Sequence, residues 1–266
     1  MIISIAAQKG GVGKTSLVFH LSGVSAEKNI KVLLCDTDPQ NSLSSTFIDD
    51  VYSLNRTLKD LLLDPDLSAS EIIQKTKFKN IYLIPCNLGL GSAEHELLSD
   101  PDSQYSLSNK LDGIKKDFDL ILIDCPASLG AYTRMALVAA DCVIIPIECS
   151  RYGVKSTEFL LQMISKVKTR ANPPLQILGF VINKIDTRRR IEQEYRAMIR
   201  EQLGEKVFKT EIRDSAKYGE AVALRIPINL YQPKSEQAEA FRELFTEIQS
   251  NGTNIRESLQ PDGENQ

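Results

Sequence analysis

Six short apolar runs recur along the chain: "IISIAA" (2–7), "KVLLCD" (31–36), "NIYLIP" (80–85), "DLILID" (119–124), "CVIIPI" (142–147) and "QILGFVINK" (176–184). Each is rich in β-branched residues and nearly unbroken, with no polar face to turn to water. Runs of this kind suit strands covered on both sides, as in a parallel sheet. Helix-length segments separate them, including 14–27, 131–139 and 151–170. In 188–203, Ile191, Tyr195, Met198, Ile199 and Leu203 share one apolar face, as do Ala238, Phe241, Leu244, Phe245 and Ile248 in 235–249. This alternation predicts an α/β fold with a doubly wound, mostly parallel β-sheet flanked by helices. A chain of 266 residues is ample for one such domain, read here as residues 1–250. Residues 251–266, "NGTNIRESLQPDGENQ", are polar and read as a disordered tail.

Between the first run and the first helix lies "QKGGVGKTS" (8–16). A strand, a glycine-rich loop and a helix N-terminus in that order point successive backbone N–H groups at one anion. Gly10, Gly11 and Gly13 let the backbone approach phosphate, with Val12 between them. Lys14 is placed to reach β- and γ-phosphates, Thr15 to ligate Mg²⁺ through its hydroxyl, and Ser16 to add a contact to the α-phosphate. The common pattern G-x-x-x-x-G-K-[ST] is broken, since Gln8 replaces its first glycine, and a second lysine, Lys9, stands at the mouth of the loop.

Other features narrow the classes. The five cysteines form no C-x-x-C pair and sit in or beside apolar runs, so they read as buried thiols in a reducing compartment. With His20 and His95 the only histidines, a histidine-based metal or triad site is not expected. No apolar run reaches the roughly 18 residues of a membrane span, and the N-terminus lacks a basic secretory flank. A cytoplasmic protein is expected. Charge is uneven: residues 1–150 hold 13 Lys+Arg against 19 Asp+Glu, while residues 151–250 hold 18 against 13. A basic back half suits a polyanionic partner.

"KGGVGKT" resembles the deviant Walker A motif of the ParA/MinD superfamily of P-loop ATPases. "LLCDTDPQ" (33–40) is similar to the D-x-D-P-Q segment of that family, and "DLILIDCPASLG" (119–130) to its Walker B region. "GFVINKID" (179–186) and "LGEKVFKTEIRDS" (203–215) match more weakly. The likeness spans about residues 1–248 and is greatest to the small, Soj-like ParA branch, which includes carboxysome-positioning proteins of the McdA type.

That resemblance implies a slow ATPase using ATP and Mg²⁺. Asp38 would orient or activate the attacking water, Asp36 would support Mg²⁺ or the loop geometry, and Asp124 would hold a Mg²⁺-bound water. Asn183 would meet the adenine. Lys9 would reach across a two-fold interface to the partner's nucleotide, giving a homodimer on ATP. Basic residues in the back half would bind DNA without sequence preference, making the protein nucleoid-associated. The candidates are Arg188, Arg189 and Arg190, followed by Lys217, Arg225, Lys234 and Arg242, with Arg196 and Arg200 on the polar side of 188–203. An adaptor of ParB or McdB type would stimulate hydrolysis, and the cargo would be a plasmid, a chromosome origin or a protein body such as a carboxysome. With its loop beginning at residue 8, the chain is expected to lack the helix-turn-helix domain of the large plasmid ParA proteins. A MinD-like membrane switch would need a basic amphipathic C-terminal helix, which the acidic tail does not offer. A P-loop biosynthetic ligase is the other alternative.

Overall fold

In the computed structural model, which describes residues 1–259, the predicted strands appear as β1 (Ile2–Ile5), β2 (Val32–Asp36), β4 (Ile81–Ile84), β5 (Leu120–Asp124), β6 (Cys142–Ile147) and β7 (Gln176–Ile185). Two-residue strands β3 (Gln74–Lys75) and β8 (Ile212–Arg213) complete one eight-stranded sheet in the order β3-β4-β2-β5-β1-β6-β7-β8. Every pairing is parallel except β3 with β4. β1 is the central strand where the winding reverses. The chain leaves it toward β2 on one side and returns past it to β6 on the other, and ligands of open α/β sheets bind at such a crevice.

The helices are α1 (Lys14–Glu27), α2 (Ser42–Phe47), α3 (Leu58–Leu63), α4 (Gly89–Ser99), α5 (Ser106–Asp112), α6 (Ala131–Ala139), α7 (Arg151–Arg170), α8 (Arg190–Leu203), α9 (Ala216–Ala223), α10 (Ile228–Tyr231) and α11 (Glu236–Leu259). Because the six longer strands are mostly apolar on both sides, each sheet face needs its own helical cover. One core layer holds Leu58, Leu90, Leu107, Tyr132, Leu160 and Ile199 from α3 to α8. The other holds Leu17, Phe19, Leu21, Leu43, Ala221, Ile228, Phe241 and Phe245 from α1, α2, α9, α10 and α11. The face expected in 235–249 is buried in full. His20, also buried, lies in that second layer among Phe19, Tyr218 and Phe241, with ring centroids 5.0–5.4 Å away.

Two expectations change, and two short strands are added. The helix predicted over 188–203 begins at Arg190, and Ile191 is 57 % exposed rather than part of a buried face, because α8 packs through Ile199 with Tyr195 and Leu203 beside it. The two-residue edge strands went unforeseen, being too short to carry a periodicity. The last helix runs on to Leu259, so residues 251–259 of the expected disordered tail are helical, and 260–266 lie outside the described residues.

Candidate nucleotide site

The loop after β1 ends in two glycines with left-handed backbones, Gly11 at φ +77° and Gly13 at φ +92°. A Cβ on Gly13 would lie 2.4 Å from Nδ2 of Asn183, so this position excludes any side chain both by conformation and by space. Gly13 caps α1 without a side-chain acceptor, which leaves the first N–H groups of that 14-residue helix unsatisfied by the protein.

β1, β2 and β5 end side by side, with Asp36 opposite Asp124 and Ile5 opposite Asp124 in register. Their C-terminal edge therefore gathers Asp36, Asp124 and the loop within one crevice. Lys14, buried at 7 % exposure, extends its Nζ to the backbone oxygen of Lys9 at 3.4 Å. Thr15 donates its hydroxyl to Oδ2 of Asp124 at 2.7 Å, while Oδ1 of Asp124 is buried without a partner. Burial, and then the nearby Asp36 carboxylate, drive the Asp124 carboxyl well above its ordinary range, against the opposing pull of Thr15 and Lys14. A hydroxyl beside a buried carboxylate with one oxygen unpartnered is a hard-oxygen donor set, and it fits Mg²⁺, which uses one or two protein oxygens and fills the rest with water and phosphate. Ser16 is half-buried on the first turn of α1.

Asp36 is differently employed. Its Oδ2 accepts the amide and hydroxyl of Ser44 at 2.8 and 2.7 Å, and its Oδ1 accepts the amide of Asp38 at 3.1 Å. Of the two roles open to it, this geometry matches support of the loop, with both oxygens turned inward. Burial raises its carboxyl to about 6 despite the three hydrogen bonds. Asp38 is half-buried; its Oδ1 accepts the amide of Gln40 at 3.0 Å, its carbonyl accepts the Cys86 thiol at 3.0 Å, and its Oδ2 has no hydrogen-bond partner among the described residues. Thr37 ties the same loop to β5 through a 2.7 Å bond to the carbonyl of Asp124.

Lys9 folds back to form an ion pair with Glu148, just past the end of β6, leaving its side chain 34 % exposed. Asn183, expected against an adenine, donates to the carbonyl of Val12 at 2.7 Å, and its neighbour Lys184 donates to that of Gly11. Glu148, Lys184 and Ser44 escaped the sequence reading. Glu148 lies 139 residues from Lys9 and no local spacing links them, although Lys184 adjoins a residue already singled out.

Most of the basic candidates do not stand free. Arg188 holds Asp186 through Nε and Nη2 at 2.9 and 3.0 Å, lowering that carboxyl to about 2, while Arg189 pairs with Asp186 and Glu192 and Arg190 with Glu194. Those three side chains nonetheless remain 88, 67 and 93 % exposed. Arg196 and Arg200 both engage Glu211, and Arg225 engages Asp49. Arg242 is clasped by Glu27 and Glu239 and donates to the carbonyl of Pro233. It is a tie between α1 and α11 more than a surface cation. Lys217 and Lys234 line one shallow hollow with Pro233 and carry no ion pair among the described residues.

A parallel sheet with a glycine loop at its switch point, a buried lysine in that loop and a threonine–aspartate pair beneath it define a P-loop nucleotide-binding protein. An AAA domain family model matches residues 1–177. The chromosome-partitioning ATPase Soj of Treponema pallidum is 34% identical over 91% of this chain and 94% of its own length. Among solved structures, cobyrinic acid a,c-diamide synthase of Mycobacterium smegmatis with bound ADP and magnesium is similar at TM-score 0.80 and 30% identity, over 92% of each chain. Cyanothece apo McdA is similar at TM-score 0.82 and 25% identity, over 94% of this chain and 98% of that one. The chain belongs to the ParA/MinD superfamily of P-loop ATPases.

Proposed function

We propose that this protein is a ParA-type ATPase, binding ATP and Mg²⁺ and pairing into a homodimer that grips DNA without regard to sequence and moves or spaces a cargo. Lys9 carries the dimer reading. One buried lysine, Lys14, already serves the loop, and the second sits at its mouth on an ion pair with Glu148, 34 % exposed and free to exchange that carboxylate for phosphate oxygens. A lysine offered to a partner's triphosphate would act as an arginine finger does, and such trans cations supply about 10³–10⁵ in rate. Thr15 and Asp124 would hold the Mg²⁺, which when bound neutralises phosphate charge. Asp38, with one oxygen uncommitted on a loop fixed by Asp36 and Thr37, would position the water. Hydrolysis would be slow until an adaptor of ParB or McdB type docks, and the cargo would be DNA or a protein body.

Light scattering with a hydrolysis-resistant ATP analogue and Mg²⁺ tests this. The wild-type chain is expected to double in mass and Lys9→Ala to remain single while still binding the analogue. A wild-type chain that stays monomeric at saturation sinks the reading.

The likeness to a diamide synthase supports a second reading, a P-loop ligase. In that case ATP turnover would rise with an added carboxylic acid and a nitrogen donor, and would ignore DNA.

A further inference from the structure

While Arg188, Arg189, Arg190, Arg225 and Arg242 are paired with carboxylates, another basic group is not. Between α6, α7 and the turn at Gln104 runs a groove of about 380 Å³, floored by Leu129, Phe159 and Met163 and rimmed by Arg134, Lys166 and Arg170. Phe159 is 47 % exposed, whereas Leu129 and Met163 beside it pack against a core layer. Phe159, Met163, Lys166 and Arg170 follow one another at steps of four, three and four along α7, so they form a single stripe on that helix. No carboxylate lines the groove, and among the described residues none pairs with Arg134, Lys166 or Arg170. The contrast is sharp in a chain whose net charge is −3.

We infer that this groove docks an acidic peptide segment of a partner protein, one that sets an apolar side chain on Phe159 and Met163 and carboxylates against the three cations. Three unpaired cations around an apolar floor describe the complement of an acidic amphipathic segment, with hydrophobic anchor and charged rim in the usual arrangement of an interface. A duplex phosphate backbone would satisfy the cations but leave Phe159, Leu129 and Met163 with nothing to bury against. The inference is independent of the nucleotide reading, since none of the six residues belongs to the loop, the aspartates or the candidate DNA surface.

The test is fluorescence anisotropy on the full chain. The probe is a labelled synthetic helix of about 20 residues with Leu or Phe at i, i+4 and i+7 and Glu on the flanks; controls are its Glu→Lys counterpart and a duplex DNA. The acidic probe is expected to bind saturably and to weaken as salt rises. Phe159→Asp and the double variant Lys166→Glu, Arg170→Glu are each expected to weaken it ~10-fold or more. All three positions are exposed, so unchanged melting curves will show that the variants fold. The proposal is overturned if the probe fails to bind at about 1 mM, if the lysine counterpart binds equally, if the variants bind like wild type, or if the same variants instead abolish binding of the duplex, which would make this a nucleic-acid face.

Discussion

Asp124 meets two opposing demands. Its carboxyl is buried with one oxygen unpartnered, and burial makes the charged form costly. Yet a cation bound beside Thr15 needs that charge. Asp124→Asn is therefore expected to leave the protein alone as stable as wild type or more so, while removing most of the further stabilisation that ATP·Mg²⁺ gives. At 100-fold excess over its dissociation constant a ligand adds about 2.7 kcal/mol, so the difference is readily seen in melts with and without ATP·Mg²⁺. An Asn variant that keeps the full ligand-induced shift would remove Asp124 from the site. Thr15→Val deprives the same carboxylate of its hydroxyl partner and is expected to cost about 1–3 kcal/mol in the protein alone. Only Thr15→Val is thus expected to lose stability in the protein alone, a difference that unspecific damage at the site would not give. Asp38→Ala leaves the donor set around Thr15 untouched, so it is expected to bind ATP normally and to lose most of its hydrolysis. Phosphate release beside calorimetry checks this, and full turnover would discharge Asp38 from its role.

The contact of α1 with α9, α10 and α11 is the element whose stability depends most plainly on pH. His20 accepts the amide of Ile228 on Nδ1 at 3.2 Å, has Nε2 buried without a partner, and is held neutral by burial, its pKa lowered to about 3. In the unfolded chain it titrates near its usual 6.5, so below that pH the unfolded state takes up a proton that the folded state refuses. Stability is lost as pH falls, by up to about 1.4 kcal/mol per pH unit between 6.5 and 3. Asp36 works the other way: its carboxyl, raised to about 6, keeps a proton in the folded state that the unfolded chain releases, so its contribution fades as pH rises through that range. Denaturant titrations of wild type and His20→Gln across pH 4 to 7 separate the two, since only the histidine term vanishes in the variant. The elements themselves divide by length in how legible they were. α1, α6 and α7 could be bounded from residue pattern because each runs nine residues or more between clear breakers. β3 and β8, two residues each, take their conformation from the strand beside them and not from their own side chains. Ile191 looked like core because the helical period put it there, but the tertiary packing of α8 ends before that turn. The loop residues could be named because their chemistry is contiguous, whereas the Lys9–Glu148 and Asp36–Ser44 pairs come from tertiary proximity that no local spacing records.

At the scale of the whole molecule, the net charge of −3 opposes a polyanion, so the DNA binding proposed above would have to rest on local cations. Arg188, Arg189 and Arg190 are the best placed, being exposed themselves and tethered by solvent-screened ion pairs to Asp186, Glu192 and Glu194, which phosphate can displace. Arg242, held by two carboxylates between α1 and α11, is not expected to contribute, and Arg242→Ala should cost stability before it costs DNA affinity. Affinity for duplex falls with salt in proportion to the phosphates neutralised, so two subunits acting together give about twice the slope of one. With a hydrolysis-resistant ATP analogue the wild-type chain is therefore expected to show a steep salt dependence, and without nucleotide a shallow one. Replacing the three arginines with alanine, which avoids setting new carboxylates against Asp186, is expected to flatten the nucleotide-bound slope while leaving the mass of the dimer unchanged. A triple variant that keeps the wild-type slope places the DNA-binding surface elsewhere, with Lys217 and Lys234 the next to be tested.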